Sequence, residues 1–375
     1  MFETDTLNIL YGVQATGNGH ISRSREIVGA LKQRGHRVQV IVSGRPESKL
    51  WEMGPLRPYN LFEGLTFHAQ AGKVNKIRTV LNAHPSRMRR DINNFQANGI
   101  DLVISDFEPI SARIARKNSI PSLGIGNQYA FEYPIPGFSS RPLSKMFIQK
   151  FTPVDLGIGL HWHHFNSPIL PPIIPRFKQK SITNEAEILV YLPFENHADL
   201  LGLFRKLSVL NFIIYSNQIS AGYLGNIQVK PFSRETFSQD LLKVEGVICN
   251  AGFELPSEAI SLGKKILVKP LRGQPEQLSN ALVLRQLKLG SCCDLLTPEI
   301  ILDWYKHEKG SNLFFPNIVP ELVDWIEAGQ WDKTSLGLLS QRLWKGVPTQ
   351  LKRDKSSHPS DENQSPLRNL KAVLV

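Results

Sequence analysis

The chain has 375 residues, of which 41% are hydrophobic and 21% charged, and its formal net charge is +11. Its length exceeds a single hydrophobic core and its composition is globular, so we expect two α/β domains. No run approaches the roughly 18 apolar residues of a membrane span, and the first residues carry acids where a secretory signal carries bases. The three cysteines lack metal-ligand spacing, which argues against zinc and a disulfide framework. We therefore expect a cytoplasmic protein.

The positive charge bears on the partners of the protein rather than on its fold. No nucleic-acid recognition motif is present and no basic helix is interleaved with aromatic residues, so we expect no nucleic-acid partner. An anionic membrane surface, or an acceptor that carries phosphate, fits the charge better. Basic side chains that merely solvate the surface are an equally open interpretation. The basic residues of interest lie in the first half of the chain: Arg87, Arg89, Arg90, Lys145 and Lys150.

The chain begins with an apolar run of strand length, Leu7 to Val13, and a helix is predicted over Ile21 to Arg34. Between them lies a glycine-rich loop that contains Gly17, Asn18, Gly19 and His20. Such a loop after a first strand lets a ligand approach the backbone closely. A dinucleotide fingerprint is not matched, because Ser22 replaces the third glycine and no acid follows the next predicted strand, Val38 to Val42.

Asp106 ends the next informative strand, predicted over Asp101 to Asp106. At the carboxyl edge of a parallel sheet, this residue would come near the loop that follows the first strand. Two roles are open for Asp106, which are capping the next helix and pairing with His20. The remaining predicted elements of this half are strands over Gly64 to Gln70, Ile120 to Ile125 and Val154 to Ile158, and helices over Lys73 to Ala97 and Arg141 to Phe151.

A proline-rich segment, Asn166 to Pro175, suits neither a helix nor a central strand and therefore indicates a linker. We expect a first domain over residues 1–165, a linker over 166–180 and a second domain with C-terminal helices over 181–345. Residues 350–375 are charged and poor in apolar side chains, which predicts a disordered tail.

The most informative stretch is Val247 to Ala281, which has the pattern of a strand, a helix and a second strand. Gly252 lies in the turn after the first strand, Glu258 on the helix, and a polar loop runs from Arg272 to Gln277. Ligands bind open α/β sheets at the carboxyl ends of the strands, where a helix N-terminus presents N–H groups to an anion. The pattern predicts half of a nucleotide site. A buried unit whose polar residues only face solvent is the alternative.

The order and spacing of this stretch resemble the donor-site signature of the GT-B glycosyltransferases, on Gly252, Glu258, Ala259, Gly263, Glu276, Gln277, Asn280 and Ala281. The branch it resembles contains the lipid-linked N-acetylglucosaminyl transferase of peptidoglycan synthesis and the UDP-glucuronosyl and plant UDP-glycosyl transferases. The resemblance implies two Rossmann-like domains that face each other across a cleft. It also implies that Glu258 binds the ribose of a UDP-sugar, and that Glu276 and Gln277 face the hydroxyls of the sugar.

The glycine-rich loop resembles the loop that ends in histidine in the same branch, and Asp106 resembles the aspartate that orients that histidine. The resemblance implies an inverting transfer to a hydroxyl acceptor, with the UDP-sugar as co-substrate and with no metal or cofactor. His20 is the candidate base, since imidazole exchanges protons near neutral pH. The acceptor implied is a lipid-linked or cell-envelope glycan, reached at the inner face of the cytoplasmic membrane. The predicted donor site includes four further residues, Asn250, Phe253, Arg272 and Gln274.

The chain departs from the family pattern at Asn250, at Phe253 to Pro256, and in a longer loop before Glu276. These departures affect the positions that contact phosphate. Two other functions therefore stay open, which are a UDP-sugar 2-epimerase or hydrolase on the same fold and a sugar-nucleotide-binding protein without catalysis.

Overall fold

The computed structural model of the protein describes residues 6–50, 52–64, 69–70, 73–74, 85–138, 142–177, 183–311 and 313–347. It comprises two compact units. Unit 1 consists of Met1–His68, Asn75–Arg176 and Phe315–Gly346, and unit 2 of Ala69–Val74, Phe177–Phe314 and Val347–Val375. Each unit is built on a largely parallel sheet, which confirms the predicted α/β class.

The strands of the first half are β1 (Asn8–Gln14), β2 (Arg37–Ser43), β3 (Tyr59–Phe62), β4 (Ala69–Gln70), β5 (Lys73–Val74), β6 (Leu102–Asp106), β7 (Ser122–Gly126) and β8 (Leu156–Gly159). β4 and β5 pair with each other, and the other six form a parallel sheet in the order β3-β2-β1-β6-β7-β8. The central strands are buried along nearly their whole length, as strands covered by helices on both faces are. Val13 lies beside both Val42 and Asp106, so β1, β2 and β6 reach the same carboxyl edge.

The described helices of the first half are α1 (Asn18–Gln33), α2 (Pro85–Asn94), α3 (Pro109–Asn118), α4 (Asn127–Ala130) and α5 (Pro142–Phe151). α2 and α3 pack on the sheet through a cluster of apolar residues: Leu10, Ile41, Ile92, Val103, Ile110 and Ile114. α3 begins at a buried carboxylate, because Glu108 accepts hydrogen bonds from the backbone N–H groups of Ile110 and Ser111. Pro109 occupies the first turn, where its missing N–H leaves no hydrogen bond unmade.

The strands of unit 2 that follow the linker are β9 (Asn184–Tyr191), β10 (Asn211–Tyr215), β11 (Gly222–Leu224), β12 (Ile227–Lys230), β13 (Val244–Cys249), β14 (Lys265–Val268) and β15 (Ser291–Cys292). Their order is β11-β12-β10-β9-β13-β14-β15, and all neighbours are parallel except β11 with β12. Cys249 is in register with Tyr191 on one side and Val268 on the other. The central strands therefore also end together at one carboxyl edge.

The helices of this region are α6 (His197–Phe204), α7 (Arg234–Lys243), α8 (Glu254–Ser261), α9 (Pro275–Gln286) and α10 (Pro298–His307). Three of them begin at side chains that accept a backbone N–H, which are Asn196 for α6, Ser233 for α7 and Thr297 for α10. α8 begins at Phe253 without such a cap. α6 and α10 bury Phe204 and Trp304 in the main apolar cluster of the sheet.

Two further helices, α11 (Val319–Glu327) and α12 (Lys333–Trp344), belong to unit 1. The sequence places residues 181–345 in the second domain, whereas Phe315–Gly346 group with unit 1, and the linker predicted over 166–180 is divided between unit 1, to Arg176, and unit 2, from Phe177. The physical reason is burial: α11 packs on α1, and Glu327 binds Arg34. The Trp344 indole N–H and the Ser340 hydroxyl both donate to the Ile169 carbonyl, at 2.6 and 2.7 Å.

The remaining differences from the predicted elements concern their limits. β3 precedes the strand predicted over residues 64–70, and only Pro85–Asn94 of the helix predicted over 73–97 is described as helix. α9 ends at Gln286, shortly before Lys288, which takes a left-handed conformation with φ of 54°. The tail over 350–375 lies outside the described residues. Within the described part of the chain, no helix has the length and apolar character needed to cross a bilayer.

Candidate active site

His20 and Asp106 meet at the carboxyl edge of the first sheet. Asp106 ends β6 beside Val13 of β1, and the glycine-rich loop that follows β1 leads into the first turn of α1, where His20 lies. His20 Nδ1 is 2.7 Å from Asp106 Oδ1. The histidine side chain is 13% exposed and the aspartate side chain 0%. Of the two roles open for Asp106, the structure therefore shows the pairing with His20, and Glu108 caps the next helix.

Asp106 is held by three further hydrogen bonds that the sequence reasoning missed. Arg23 donates to both carboxylate oxygens, from Nε to Oδ2 at 3.0 Å and from Nη2 to Oδ1 at 2.5 Å. The Ser24 hydroxyl donates to Oδ2 at 2.9 Å. Burial alone would raise the pKa of Asp106, but the charge of Arg23 and the contact with His20 outweigh it, so the pKa is lowered. Asp106 is therefore a carboxylate at neutral pH.

The ionised Asp106 determines which nitrogen of His20 carries the proton. A carboxylate only accepts hydrogen bonds, so a 2.7 Å contact with Nδ1 requires the hydrogen on Nδ1. Nε2 of the neutral ring then carries the lone pair. The pair can accept a proton at Nε2 while Asp106 stabilises the imidazolium that forms, which is the chemistry of a general base.

The backbone next to Asp106 is strained. Phe107 adopts a left-handed conformation with φ of 52°, which is uncommon for a bulky residue. Its ring packs edge-on against Tyr129 and beside Phe151. Local strain of this kind persists where the surrounding structure imposes it and is frequent at functional sites. The strained residue directly follows Asp106, the last residue of β6 at the edge of the sheet.

Arg45, which follows β2, fixes the glycine-rich loop from the side. It donates to the Thr16 carbonyl at 2.9 Å and to the Asn18 side-chain oxygen at 2.6 Å. Gly17 is the N-cap of α1, where it has no side chain that could accept a backbone N–H, and Gly19 lies in the first turn of the helix. The four residues of the predicted glycine-rich loop therefore lie at the start of α1 in unit 1: Gly17, Asn18, Gly19 and His20.

In unit 2, the predicted donor residues gather at the carboxyl end of β13. The Asn250 side-chain amide donates to the Lys269 carbonyl at 3.0 Å, which ties the ends of β13 and β14 together. Phe253 is buried at the start of α8. A Cβ atom at Gly252 would meet no atom of the described residues within 4 Å, apart from its two chain neighbours. Packing of the described residues therefore does not require glycine there, and the space above this turn is open to a ligand.

Glu258 lies on α8 and is bound by an arginine that the sequence reasoning missed. Arg234, the first residue of α7, donates from Nη2 to Oε1 at 3.1 Å and from Nη1 to Oε2 at 3.3 Å. The Glu258 side chain is 3% exposed and that of Arg234 is 26%. The carboxylate keeps lone pairs beyond those used by the guanidinium, so it can accept further hydrogen bonds.

The loop between β14 and α9 carries the other predicted donor residues. Gln277 is buried, and its Oε1 accepts a hydrogen bond from the Leu271 N–H at 2.9 Å, so this oxygen holds the loop. Gln274 is the N-cap of α9 without a side-chain cap, and Glu276 lies in the first turn. Arg272 is exposed, and Gln274 and Glu276 are half-buried. The structure therefore places all four on one loop and helix start, with the Gln277 oxygen already engaged.

A half-buried ion pair lies over the same edge. Lys269 Nζ is 2.7 Å from Glu195 Oε1, and these residues follow β14 and β9, the two neighbours of β13. The pair therefore spans the end of β13. The next two residues after Glu195 have structural partners: Asn196 caps α6, and His197 contacts the Leu192 carbonyl and the Ser216 hydroxyl.

The described residues contain no group of three or more His, Cys, Asp or Glu side chains that could hold a metal ion. The three cysteines are free thiols. The two carboxyl edges present different groups: a histidine paired with a buried carboxylate in unit 1, and the polar side chains of Asn250, Glu258 and Gln277 near a glycine turn in unit 2.

Residues 7–307 match the family model described as Glycosyl transferase family 1. The chain belongs to this family. No curated protein matches it in sequence. As a family member with this fold, it is a glycosyltransferase that uses a nucleotide-sugar donor, and the resemblance of the chain to the GT-B glycosyltransferases is confirmed.

Solved structures with a similar fold include three of different origin. The glycotransferase of kitacinnamycin has a TM-score of 0.58 at 14% identity, covering 92% of this chain and 100% of its own. Arabidopsis thaliana UGT89C1 complexed with UDP-L-rhamnose has a TM-score of 0.58 at 14% identity, covering 91% and 99%. Acinetobacter baumannii MurG has a TM-score of 0.51 at 14% identity, covering 86% and 99%. At this identity the likeness shows a shared GT-B fold.

Proposed function

We propose that this glycosyltransferase moves a sugar from a UDP-sugar to an acceptor hydroxyl, with inversion at the anomeric carbon and without a metal ion. The observation that carries the proposal is the 2.7 Å contact of His20 Nδ1 with Asp106 Oδ1, which leaves Nε2 as the proton acceptor. Family membership supplies the reaction class, and this pair supplies the base that an inverting displacement requires.

The proposed step is a single displacement. His20 Nε2 takes the proton of the acceptor hydroxyl as the acceptor oxygen forms its bond to the anomeric carbon. The bond from that carbon to the phosphate oxygen breaks on the opposite face, and UDP leaves with the electron pair. Asp106 stays ionised and stabilises the imidazolium. Attack opposite the leaving group inverts the anomeric configuration.

On the donor side, we assign the ribose hydroxyls to Glu258 and the sugar hydroxyls to Glu276 and Gln277. The Gln277 oxygen is engaged with Leu271, so in this proposal its amide N–H groups face the sugar. The leaving diphosphate would be stabilised by backbone N–H groups near Gly252 at the start of α8, and by the exposed Arg272. The assignment to UDP is supported by the structural relative that was solved with UDP-L-rhamnose.

For the acceptor, we propose a lipid-linked or cell-envelope glycan at the inner face of the cytoplasmic membrane. The support is the net charge of +11 and the exposed arginines of α2, Arg89 and Arg90. Arg87 is also exposed and pairs with Glu63, and Lys150 is exposed at the end of α5. The side chain of Lys145 lies outside the described residues. These cations would add to binding at an anionic surface by long-range attraction.

The test is a screen of UDP-sugars for binding by calorimetry, followed by turnover assays with lipid-linked and envelope glycans, each with and without a chelator. We expect one UDP-sugar to bind, and its sugar to appear on the acceptor with inverted configuration by NMR. Release of free sugar without an acceptor would indicate a hydrolase or epimerase instead. Binding of UDP without turnover across the whole panel would indicate a sugar-nucleotide-binding protein.

A further inference from the structure

Arg23 is a charged residue sealed inside unit 1. Its side chain is 1% exposed, and it lies three residues after His20, on the same face of α1. A cation is costly to bury unless it is paired and hydrogen-bonded. Arg23 is paired with Asp106, and through Asp106 it lies next to the proposed base.

The contacts of Arg23 determine how Asp106 faces His20. The planar guanidinium donates through Nε to Oδ2 and through Nη2 to Oδ1, and such a two-point contact fixes the plane of a carboxylate. The Ser24 hydroxyl takes a further lone pair of Oδ2. In this orientation Oδ1 points at His20 Nδ1. Without the two-point contact, only the hydrogen bonds from Ser24 and His20 would hold the carboxylate, and neither of these single contacts fixes its plane.

We propose that Arg23 is a positioning residue of the reaction: it holds the Asp106 carboxylate in the one orientation that keeps His20 in the tautomer with the proton on Nδ1. This inference rests on the proposed function, because it assigns Arg23 a part in the same proton transfer. Arg23 itself touches neither reacting atom in this scheme. Its action passes through Asp106 to the imidazole.

The charge of Arg23 has a second effect on the same proton. Its Nη2 lies 3.2 Å from His20 Nδ1, so a proton gained by the ring adds positive charge beside a guanidinium. Among the described residues, the other titratable groups that interact with Asp106 are Tyr11 of β1 and Tyr129 of α4, and burial raises the pKa of both, so they are neutral. Removing the charge of Arg23 should therefore make protonation of the ring easier and move the acid limb of the pH–rate profile to higher pH.

The experiment compares Arg23→Gln with Arg25→Gln in the full-length protein. Glutamine keeps a hydrogen-bond donor for Asp106 but removes both the positive charge and the two-point contact. Arg25 is a matched control on the same helix, since it pairs with Glu52 at the surface. The first readout is the 15N spectrum of histidine-labelled protein, with the His20 signals identified from a His20→Gln sample. The second is kcat and KM for the transfer across pH.

We expect one His20 tautomer, protonated on Nδ1, in wild type and Arg25→Gln, and a mixture of two tautomers in Arg23→Gln. We also expect Arg23→Gln to lower kcat by roughly 10- to 100-fold with little change in the donor KM, as misplacement of a catalytic group does. The acid limb should move to higher pH. Arg23→Lys keeps the positive charge but cannot make the two-point contact. It should therefore show the mixture of tautomers, while the acid limb of its pH–rate profile stays where it is in wild type.

A purely structural Arg23 predicts a different result, namely lower stability with the wild-type tautomer and the wild-type pH profile in the folded fraction. That result would overturn the inference. Arg23→Lys provides the same decision if Arg23→Gln does not fold. The spectrum needs no substrate, so a wild-type protein that transfers no sugar, yet shows mixed tautomers on substitution of Arg23, would refute the proposed function and leave the positioning of the ring intact.

Discussion

In each unit of this protein, a carboxylate beside the carboxyl edge of the sheet is held by the two-point contact of an arginine, and these two pairs differ in their access to solvent. In unit 1, Asp106 and Arg23 are both sealed, at 0% and 1% exposure. In unit 2, Glu258 is also buried, but Arg234 is 26% exposed. Both pairs lie beside the carboxyl edge of a parallel sheet, where ligands bind open α/β folds. Because the two pairs differ in exposure, we expect them to have different roles.

A sealed pair cannot contact a ligand, so it acts only through a neighbour. Asp106 has that neighbour in His20, which is partly exposed. The pair in unit 2 has an arginine that water already reaches, so a ligand hydroxyl can approach Glu258 by displacing solvent rather than protein. The sealed pair therefore suits the orientation of a base, and the open pair suits the binding of a ligand. Substitutions in the two pairs should separate rate effects from affinity effects.

The largest effect should come from Asp106→Asn. The amide group can donate to His20 Nδ1, which would place the ring proton on Nε2 and remove the base. We expect transfer to slow by roughly 10² to 10⁴, measured as kcat at saturating donor. The double variant with His20→Ala should be little slower than the slower single variant, because residues that act as a unit are not additive. Additive losses would separate the roles of the two residues.

The next effect concerns stability. Arg23→Gln should lower the free energy of unfolding of unit 1 by about 3 to 5 kcal/mol, because it leaves a buried charge without its main partner. Arg234→Gln should cost unit 2 about 1 kcal/mol, because water can take the place of the guanidinium. Urea unfolding, followed by signals specific to each unit, measures both. If both variants lose the same free energy of unfolding, the energetic distinction between the sealed pair and the open pair is wrong.

The sealed pair should also show a defined pH dependence. The pKa of Asp106 is lowered from its ordinary value of 3.8, so its ionised form is favoured in the folded state. Its contribution to stability is then fully present above about pH 4 and is lost as the pH falls through the folded-state pKa. The difference in unfolding free energy between wild type and Asp106→Asn should shrink below pH 4. A difference that is constant down to pH 2 would show that the charge of Asp106 does not matter.

The open pair should govern donor affinity. Glu258→Ala should weaken UDP binding by about 1 to 3 kcal/mol, the range for hydrogen bonds to a charged group, and leave the fold intact. Asp303→Ala is a matched control, since Asp303 is an exposed acid of unit 2, on α10. Calorimetry with UDP measures both variants. Unchanged affinity of Glu258→Ala would remove Glu258 from the donor site.

The smallest effect should be membrane association, which leaves both pairs untouched. The protein should co-sediment with vesicles of anionic lipid at low salt and detach as salt is added, since exposed charges are screened beyond about 8 Å at physiological ionic strength. Replacing Arg89 and Arg90 with Gln should weaken the binding. Absence of co-sedimentation at low salt would contradict a role for these arginines.

The sequence predicted the two α/β domains and the strands that carry the site, because buried parallel strands appear as continuous apolar runs with polar residues at their ends. β2 and β6 begin and end within one residue of the predicted limits, Val38 to Val42 and Asp101 to Asp106. The predicted limit of 345 placed α11 and α12 in the second domain, because the apolar face of a helix does not specify which of two sheets it covers.

The contact between His20 and Asp106 was predictable in part, since both follow strands that end at the same edge. Arg23 and Ser24 carry a local signal, the spacing of three and four residues from His20 on one helix. Arg234 carries no such signal, because its contact with Glu258 joins two helices and depends on how both pack against the sheet. Ion pairs between distant elements are set by tertiary geometry, which spacing along the chain does not encode.

The most direct test of the central claim is the turnover of His20→Ala, with UDP affinity measured on the same sample. The account predicts transfer slowed by roughly 10² to 10⁴ at saturating donor and UDP affinity within about twofold of wild type, because the base lies in unit 1 and the donor residues in unit 2. His307→Ala, at an exposed histidine of unit 2, should behave as wild type. Normal turnover by His20→Ala would contradict the account.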